Sequence, residues 1–563
     1  MESAINSVDR AFRNHKEIKI MIRNFKFPNI FYFFQMVSAF FSYITTLWQI
    51  FFSIILKITS KLLSITRNKP LLPPGPKPWP IVGCIPQMVL NKKPAFEWIH
   101  KLMEEMDTEI ACIRLGNVHV IPVTSPELAC LFLKNQDSIF SSRPICMSAN
   151  LVSNGYLNLG SVPMGDQWMK RRRIISSHVL SATSFQWLRH KRDEEADHLL
   201  RFVYHQCINK CLVINLRKVT RYYSANVIKN MIFSKRLLGK SIIQNGGPLV
   251  ELQEDQEKQI DAIFTLLEYF HSFSISDYLP WLSGFDLDGH KAIIKKAFAI
   301  ATKYIDLEID ERIHIWKNGN KTVEEDILDV LIILKDTNGN PMLNDKEIKA
   351  QVLELMLATI DNPSHAVECT IKEMLNQPKI MQRATEEIDN VIGSNRLVQE
   401  SDLPQLNYVK ACIKESFRLH PLAAFNVPHV SISDSVVGEY FIPKGSAVLL
   451  SRLGLGRNPR VWDDPMKFKP ERHISEEGGD VVFTDSELRL LSFSIGRRGC
   501  PGVKLGSTIT TMLLARLLQG FTWSLPSNSP GNDLTNDYPE CVLLCTMPFF
   551  AEAKPRLPKD MYP

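Results

Sequence analysis

The chain has 563 residues, 45% hydrophobic and 22% charged, with a formal net charge of +6. This is the composition of an ordinary globular protein with material for a large core, and it excludes a disordered or collagen-like chain. The charge is too small and too dispersed for a nucleic-acid binder, although a basic face toward a membrane or an acidic partner stays compatible. The eleven cysteines are odd in number and widely spaced, with no CxxC pair and no zinc-type Cys/His spacing, which is the pattern of a reducing compartment. No repeat or low-complexity tract follows about residue 80, so one large, mostly helical domain stands beside the alternative of several small ones.

Residues 1–29 form an N-terminal extension. From Ile30 to Leu56 no residue is charged, and that stretch as a helix spans roughly 40 Å against a hydrocarbon core of roughly 30 Å. The expectation is a transmembrane anchor over 30–56. A cleaved signal peptide would have a shorter apolar core and a small-residue cleavage site. Lysines and arginines flank the span on both sides, so charge bias does not orient it; the odd cysteines favour a cytosolic main body. Residues 57–80 read as a basic, Pro-rich hinge. Within "LLPPGPKPWPIVG" the clustered prolines fix φ and remove backbone donors, giving a stiff, non-helical spacer ahead of a domain over 81–563.

In "GDQWMKRRRII", Trp168 and Arg172 fall one helical turn apart, both with side-chain donors. Further on, Asn344-x-x-Glu347 has the form of a capping box, and Ile348, Val352, Leu355, Met356 and Thr359 recur on one face of the helix it opens. That helix meets Pro363 in "ATIDNPSHAVE". Proline removes one hydrogen bond and clashes with the carbonyl four residues back, so a kink or widened turn is expected over Ala358–Pro363. The alternative is a helix end at Asn362-Pro363, although helical spacing continues to Pro378.

"KESFRLHP" puts Glu415 and Arg418 one turn apart on a helix that stops at Pro421, on its own merely a surface pair. His429 follows in "NVPHV" and Arg472 in "FKPERH".

In "LSFSIGRRGCPGVKLG", Phe493, Gly496, Arg498, Cys500 and Gly502 follow the spacing Phe-x-x-Gly-x-Arg-x-Cys-x-Gly, running into an apolar helix that ends at Gly520. The glycines let the backbone turn tightly and come close to a planar ligand. A thiol at a helix N-terminus beside Arg497 and Arg498 is expected to titrate low and exist as thiolate. Such a thiolate suits a metal or a covalent intermediate, but a cysteine hydrolase needs an oriented histidine that no motif here nominates.

The loop resembles the haem-binding signature of cytochromes P450. The resemblance implies a mostly α-helical fold with small β-sheets, a single large P450 domain behind a transmembrane helix. It makes Cys500 the iron ligand of haem b, with Phe493 and Gly496 shaping the loop, and Arg498, Trp168, Arg172 and His429 as propionate donors. It also makes Glu415, Arg418 and Arg472 a buried structural cluster. Where ordinary members have an acid followed by Thr, this chain has Asp361, then Asn362 and Pro363. Together with "FNVPHV" and "PERH", that departure resembles the plant amino-acid N-hydroxylases that make aldoximes, with Ile495 and His365 standing where Thr and Asn are usual in that branch.

That branch implies two successive N-hydroxylations of an apolar or aromatic L-amino acid, as in specialised defence metabolism, with O2 and NADPH as co-substrates. It also implies an NADPH-cytochrome P450 reductase as partner, and a single-pass location in the endoplasmic reticulum membrane with the catalytic domain cytosolic. On this resemblance Asp361 delivers protons, Asn362 orients a water, and Phe425 and Asn426 contact substrate. Rival readings are a P450 hydroxylase of another hydrophobic plant metabolite, a haem-thiolate isomerase, or a non-catalytic haem-binding scaffold.

Overall fold

The structure is a computed structural model that describes residues 71–208, 213–236, 254–475, 478–526 and 548–563, with scattered positions between Ser42 and Ile55. The chain divides into two units, residues 1–71 and Leu72–Pro563. Most of the expected anchor, Ile30–Leu56, lies outside the described residues; those described within it are helical. Among the described residues no helix is long and apolar enough to cross a membrane.

Among its described residues the second unit is mostly helical with small sheets, as expected, three in number. Its helices used below are α1 (Ala95–Glu105), α2 (Asp166–Ile174), α3 (Arg189–Ile208), α4 (Leu216–Phe233), α5 (Glu254–His271), α6 (His290–Lys317), α7 (Asp345–Asn376), α8 (Pro378–Ile392), α9 (Asn407–Leu419) and α10 (Val503–Gly520). Its strands are β1 (Ile113–Leu115), β2 (Val118–Val123), β3 (Val213–Asn215), β4 (His429–Val430), β5 (Ser435–Val437), β6 (Tyr440–Ile442), β7 (Ala447–Leu450), β8 (Phe521–Ser524) and β9 (Phe550–Pro555). The largest sheet runs β1-β2-β7-β4, with β2 and β7 parallel in the register Val120 to Ala447; β3-β9-β8 and β5-β6 are antiparallel.

The Pro-rich segment is non-helical from Leu71 to Pro78, as proline chemistry requires. It is also fastened to the domain, because the Cys112 amide donates to the Pro74 carbonyl at 2.8 Å.

At the centre lies α7, 32 residues long and about 48 Å from end to end. Its start is the expected capping box: Asn344 accepts from the Glu347 amide at 2.9 Å, and Glu347 accepts from the Asn344 amide at 3.0 Å. The helix runs unbroken through Pro363 to Asn376, which excludes a stop at Asn362, and no widened turn appears. Packing explains why the proline is tolerated: Ile348, Val352, Met356, Ile360, Val367, Ile371 and Met374 share one core with residues of α4 and α10, and that burial outweighs one lost backbone bond. α10 is buried around nearly its whole circumference, the property of a helix that crosses a core.

Candidate active site

The loop before α10 is shaped by contacts that explain its glycines. Gly496 has φ +74°, and a Cβ there would stand 2.7 Å from the Leu133 carbonyl oxygen. Beside it the Asp137 carboxylate accepts from the Arg497 guanidinium at 2.8 Å. The Cys500 amide donates to the Phe493 carbonyl at 2.9 Å, which closes the loop, and the Phe493 ring packs edge-on against Phe417 of α9. Ile495 tucks into the apolar cluster of β2 and β7.

Cys500 is exposed, yet burial pushes its thiol pKa up. Both hold when a thiol faces a cavity enclosed by protein. The Gly502 amide, Arg172 and Arg452 act in the opposite direction without cancelling the burial. The expected acidic thiol is therefore corrected for the protein by itself, and the reason is spatial. Arg497 turns outward to Asp137, and Arg498 donates to the carbonyls of Ser141 (2.6 Å), Leu159 (3.2 Å) and Val162 (2.7 Å).

Arg452, one of the cations acting on the Cys500 thiol, also lines a small cavity with Asn362 of α7, which ties that helix to the same space. Almost every neighbouring residue of this helix is buried, but Ala358 and Asn362 are exposed and Glu354 is half-buried. These positions are four apart and so form one strip. An exposed strip on a helix in the middle of a core lines an internal space. Asn362 donates from Nδ2 to the Ala358 carbonyl at 3.1 Å. Asp361, roughly 100° further round, is turned instead against α4. Burial raises its pKa to about 6, with Arg221 and then Arg217 acting in the opposite direction and Glu368 adding to the rise.

At one end of the cavity positive charge gathers. The Arg172 guanidinium donates to the Gly499 carbonyl at 2.7 Å, and the Trp168 ring lies 5.0 Å from the Arg498 guanidinium carbon. Arg143, which no motif had nominated, donates to the carbonyls of Gly160 (3.1 Å), Val427 (2.7 Å) and Pro428 (2.9 Å). Burial lowers the pKa of Arg143 to about 9 and of Arg498 to about 10. Among the described residues these guanidinium groups bond carbonyls and no carboxylate. Buried cations that no carboxylate bonds directly are costly, so an anionic group fits this end. His429 donates from Nδ1 to the Phe140 carbonyl (2.9 Å), and burial, then Arg143, lowers its pKa to about 3. Its Nε2 becomes a donor only on protonation, which a neighbouring anion favours.

A thiol below, a helix strip above and cations at one end fit the residues a haem needs. On this arrangement Cys500 would hold the iron, and Arg143, Arg172, Arg498 and His429 would hold the propionates.

Beneath the loop is the buried cluster read from the sequence. Arg418 pairs with Glu415 through Nε and Nη2, both 2.8 Å, and Arg472 reaches the same carboxylate at 3.0 Å. A fourth member, His473 at 2.8 Å, comes from the residue after Arg472, in "PERH". Burial alone would raise the Glu415 pKa; the bonds from Arg418 and His473 hold it at about 2.

Phe425 and Asn426 point to opposite sides. The Phe425 ring stacks on His100 of α1, centroids 5.0 Å apart, and His100 bonds Ser451 at 2.7 Å. Asn426 accepts from Arg452 Nε at 2.5 Å, and its buried Nδ2 has no partner among the described residues. Arg452 lines a small cavity with Asn362, His365 and Ser492. His365, where Asn was usual, bonds the His420 carbonyl at 2.9 Å and ties α7 to the end of α9.

Residues 73–548 match the family model for cytochrome P450. Among curated proteins, the chain is 50% identical to isoleucine N-monooxygenase 1 of Lotus japonicus, covering 91% of this chain and 95% of that protein. It is 51% identical to phenylalanine N-monooxygenase of Arabidopsis thaliana, with coverage of 90% and 95%. To tyrosine N-monooxygenase of Sorghum bicolor it is 48% identical, with coverage of 88% of each.

Proposed function

The chain belongs to the cytochrome P450 family, and from that premise we propose that it hydroxylates the α-nitrogen of an apolar or aromatic L-amino acid twice, releasing the aldoxime after loss of water and carbon dioxide. It is a monooxygenase. The observation that carries the amino-acid reading is that relatives covering about nine-tenths of this chain are N-monooxygenases of isoleucine, phenylalanine and tyrosine. Three side chains at similar identity also mean that likeness leaves the side chain open, because discrimination between apolar side chains rests on about 1 to 3 kcal/mol of pocket contact.

When bound through Cys500 and supplied with electrons from NADPH by a reductase, haem b supplies the O2-activating chemistry. This chain's residues do the rest. Asp361, one residue before Asn362 and on the α4 side of the helix, is the group assigned to proton exchange, a pKa of about 6 letting it gain and lose a proton near neutral pH; Asn362, in the place of the usual hydroxyl, orients the water that carries the proton at the strip. Asn426 Nδ2, buried and unpartnered, is the donor assigned to the substrate carboxylate, with Arg452 fixing the amide from its oxygen side. Phe425 on His100 backs that wall.

Residues 30–56 anchor the protein in the endoplasmic reticulum membrane with the domain in the cytosol, beside an NADPH-cytochrome P450 reductase in the same membrane. The test is product analysis by mass spectrometry with membranes carrying the protein, a plant reductase and NADPH. Each apolar and aromatic L-amino acid is offered in turn. An NADPH-dependent aldoxime from one or a few of them is expected; a haem-loaded protein that consumes none of them would contradict the proposal.

A further inference from the structure

Glu354 stands on the cavity strip of α7, two turns before Asn362. Its Oε2 accepts from the Leu159 amide at 2.8 Å and from Gln351 Nε2 at 2.7 Å, and its Oε1 accepts from the Gly160 amide at 2.5 Å. The approach is close enough that a Cβ on residue 160 would stand 2.9 Å from Oε1. The same short loop turns its carbonyls the other way. Leu159 and Val162 accept from Arg498, and Gly160 accepts from Arg143. One carboxylate therefore holds the amide side of a loop whose carbonyl side holds two buried guanidinium groups.

We propose that Glu354 is a positioning residue, which fixes the Leu159–Gly160 turn so that its carbonyls aim Arg143 and Arg498 at the anionic edge of the bound haem. The inference rests on the reading of this cavity as a haem site. Glu354 touches neither the thiol loop nor any group assigned a chemical step. The charge of Glu354 also faces Arg498 and Arg171, and Arg171 is itself paired with Glu347 at 3.1 Å. Neutralising Glu354 leaves one of the two loop amides without an acceptor, since a Gln side chain presents N–H to one of them.

The matched control is Glu387 on α8, which clamps two consecutive amides in the same way, Tyr408 at 2.7 Å and Val409 at 2.9 Å, at the start of α9. Three properties are measured for holoenzyme of the wild type, Glu354→Gln and Glu387→Gln: the rate of haem transfer to excess apomyoglobin, the haem midpoint potential, and the thermal midpoint. Glu354→Gln is expected to release haem several-fold faster and to shift the potential. Glu387→Gln is expected to lower the thermal midpoint alone. Glu354→Asp, which keeps the charge with a shorter reach, is expected to fall between wild type and Gln, and serves if the Gln variant does not fold. Haem loss that tracks thermal stability equally in both Gln variants, or a Glu354→Gln protein that retains haem like wild type, would overturn the inference. A wild type with no thiolate-type carbon monoxide spectrum would remove the haem reading beneath it, a different result from either.

Discussion

Arg172 donates from its guanidinium to the carbonyl of Gly499 at 2.7 Å, which places a cation from α2 directly against the residue before Cys500. The bond fixes the loop, and the same charge is the first among the side chains opposing the effect of burial on the thiol. Arg172→Ala removes both, and a hydrogen bond to a charged group contributes about 1.5 to 3 kcal/mol. The variant is expected to fold yet to show a reduced thiolate-type band in the carbon monoxide difference spectrum. Arg172→Lys, which keeps charge without the fork, should recover part of it.

The Asp361 carboxyl is raised from an ordinary 3.8 to about 6 by burial. A carboxyl raised on folding favours the native state below its unfolded pKa, and that contribution is lost as pH rises through about 6. Asp361→Asn is therefore expected to raise the stability above pH 6 by on the order of 1 to 3 kcal/mol, read as a higher thermal midpoint. The same change should uncouple NADPH consumption from product while leaving the haem spectrum intact. Coupling equal to wild type would remove Asp361 from proton delivery.

Glu415 shows the opposite sign. Its pKa is lowered to about 2 from 4.5, so its contribution is present above about pH 4.5 and lost as pH falls toward 2. Glu415→Gln leaves Arg418 and Arg472 buried beside a neutral group and is expected to cost about 3 to 5 kcal/mol at neutral pH. Urea titrations of the two proteins should differ most above pH 5 and converge in acid.

Gly496→Ala places a methyl against the Leu133 carbonyl and the Asp137 carboxylate while demanding a positive φ. Expression without haem is expected, with secondary structure by circular dichroism near that of wild type because α10 and its core partners are untouched.

What the sequence made legible was short-range. Glu415, Arg418 and Arg472, the capping box at Asn344 and the glycine at 496 each reside in a few consecutive residues whose spacing has a physical meaning. Arg143 and Glu354 escaped because each acts through backbone groups of a loop distant from it in sequence, a relation that leaves no motif. His473 was in plain view in "PERH" but reads as any exposed histidine until the fold turns it onto Glu415. The thiol was misjudged for a related reason: Arg497 and Arg498 are neighbours of Cys500 in the chain, while the cations that face it, Arg172 and Arg452, come from other elements. Pro363 left open whether the helix stopped at Asn362 or ran on, and only the fold shows that α7 continues.

The central claim is oxidation at the amino nitrogen of an amino acid in a cavity between Cys500 and Asn362. The most direct test offers reductase-supplied membranes an accepted L-amino acid labelled with nitrogen-15 at the amine and carbon-13 at the carboxyl, and follows both labels with NADPH consumption. The account predicts an aldoxime that keeps the nitrogen, carbon dioxide that carries the carboxyl carbon, two NADPH per aldoxime in the coupled reaction, and no product from Cys500→Ala. A product hydroxylated on a carbon atom, with its labelled amine still primary and its labelled carboxyl retained, would contradict the account.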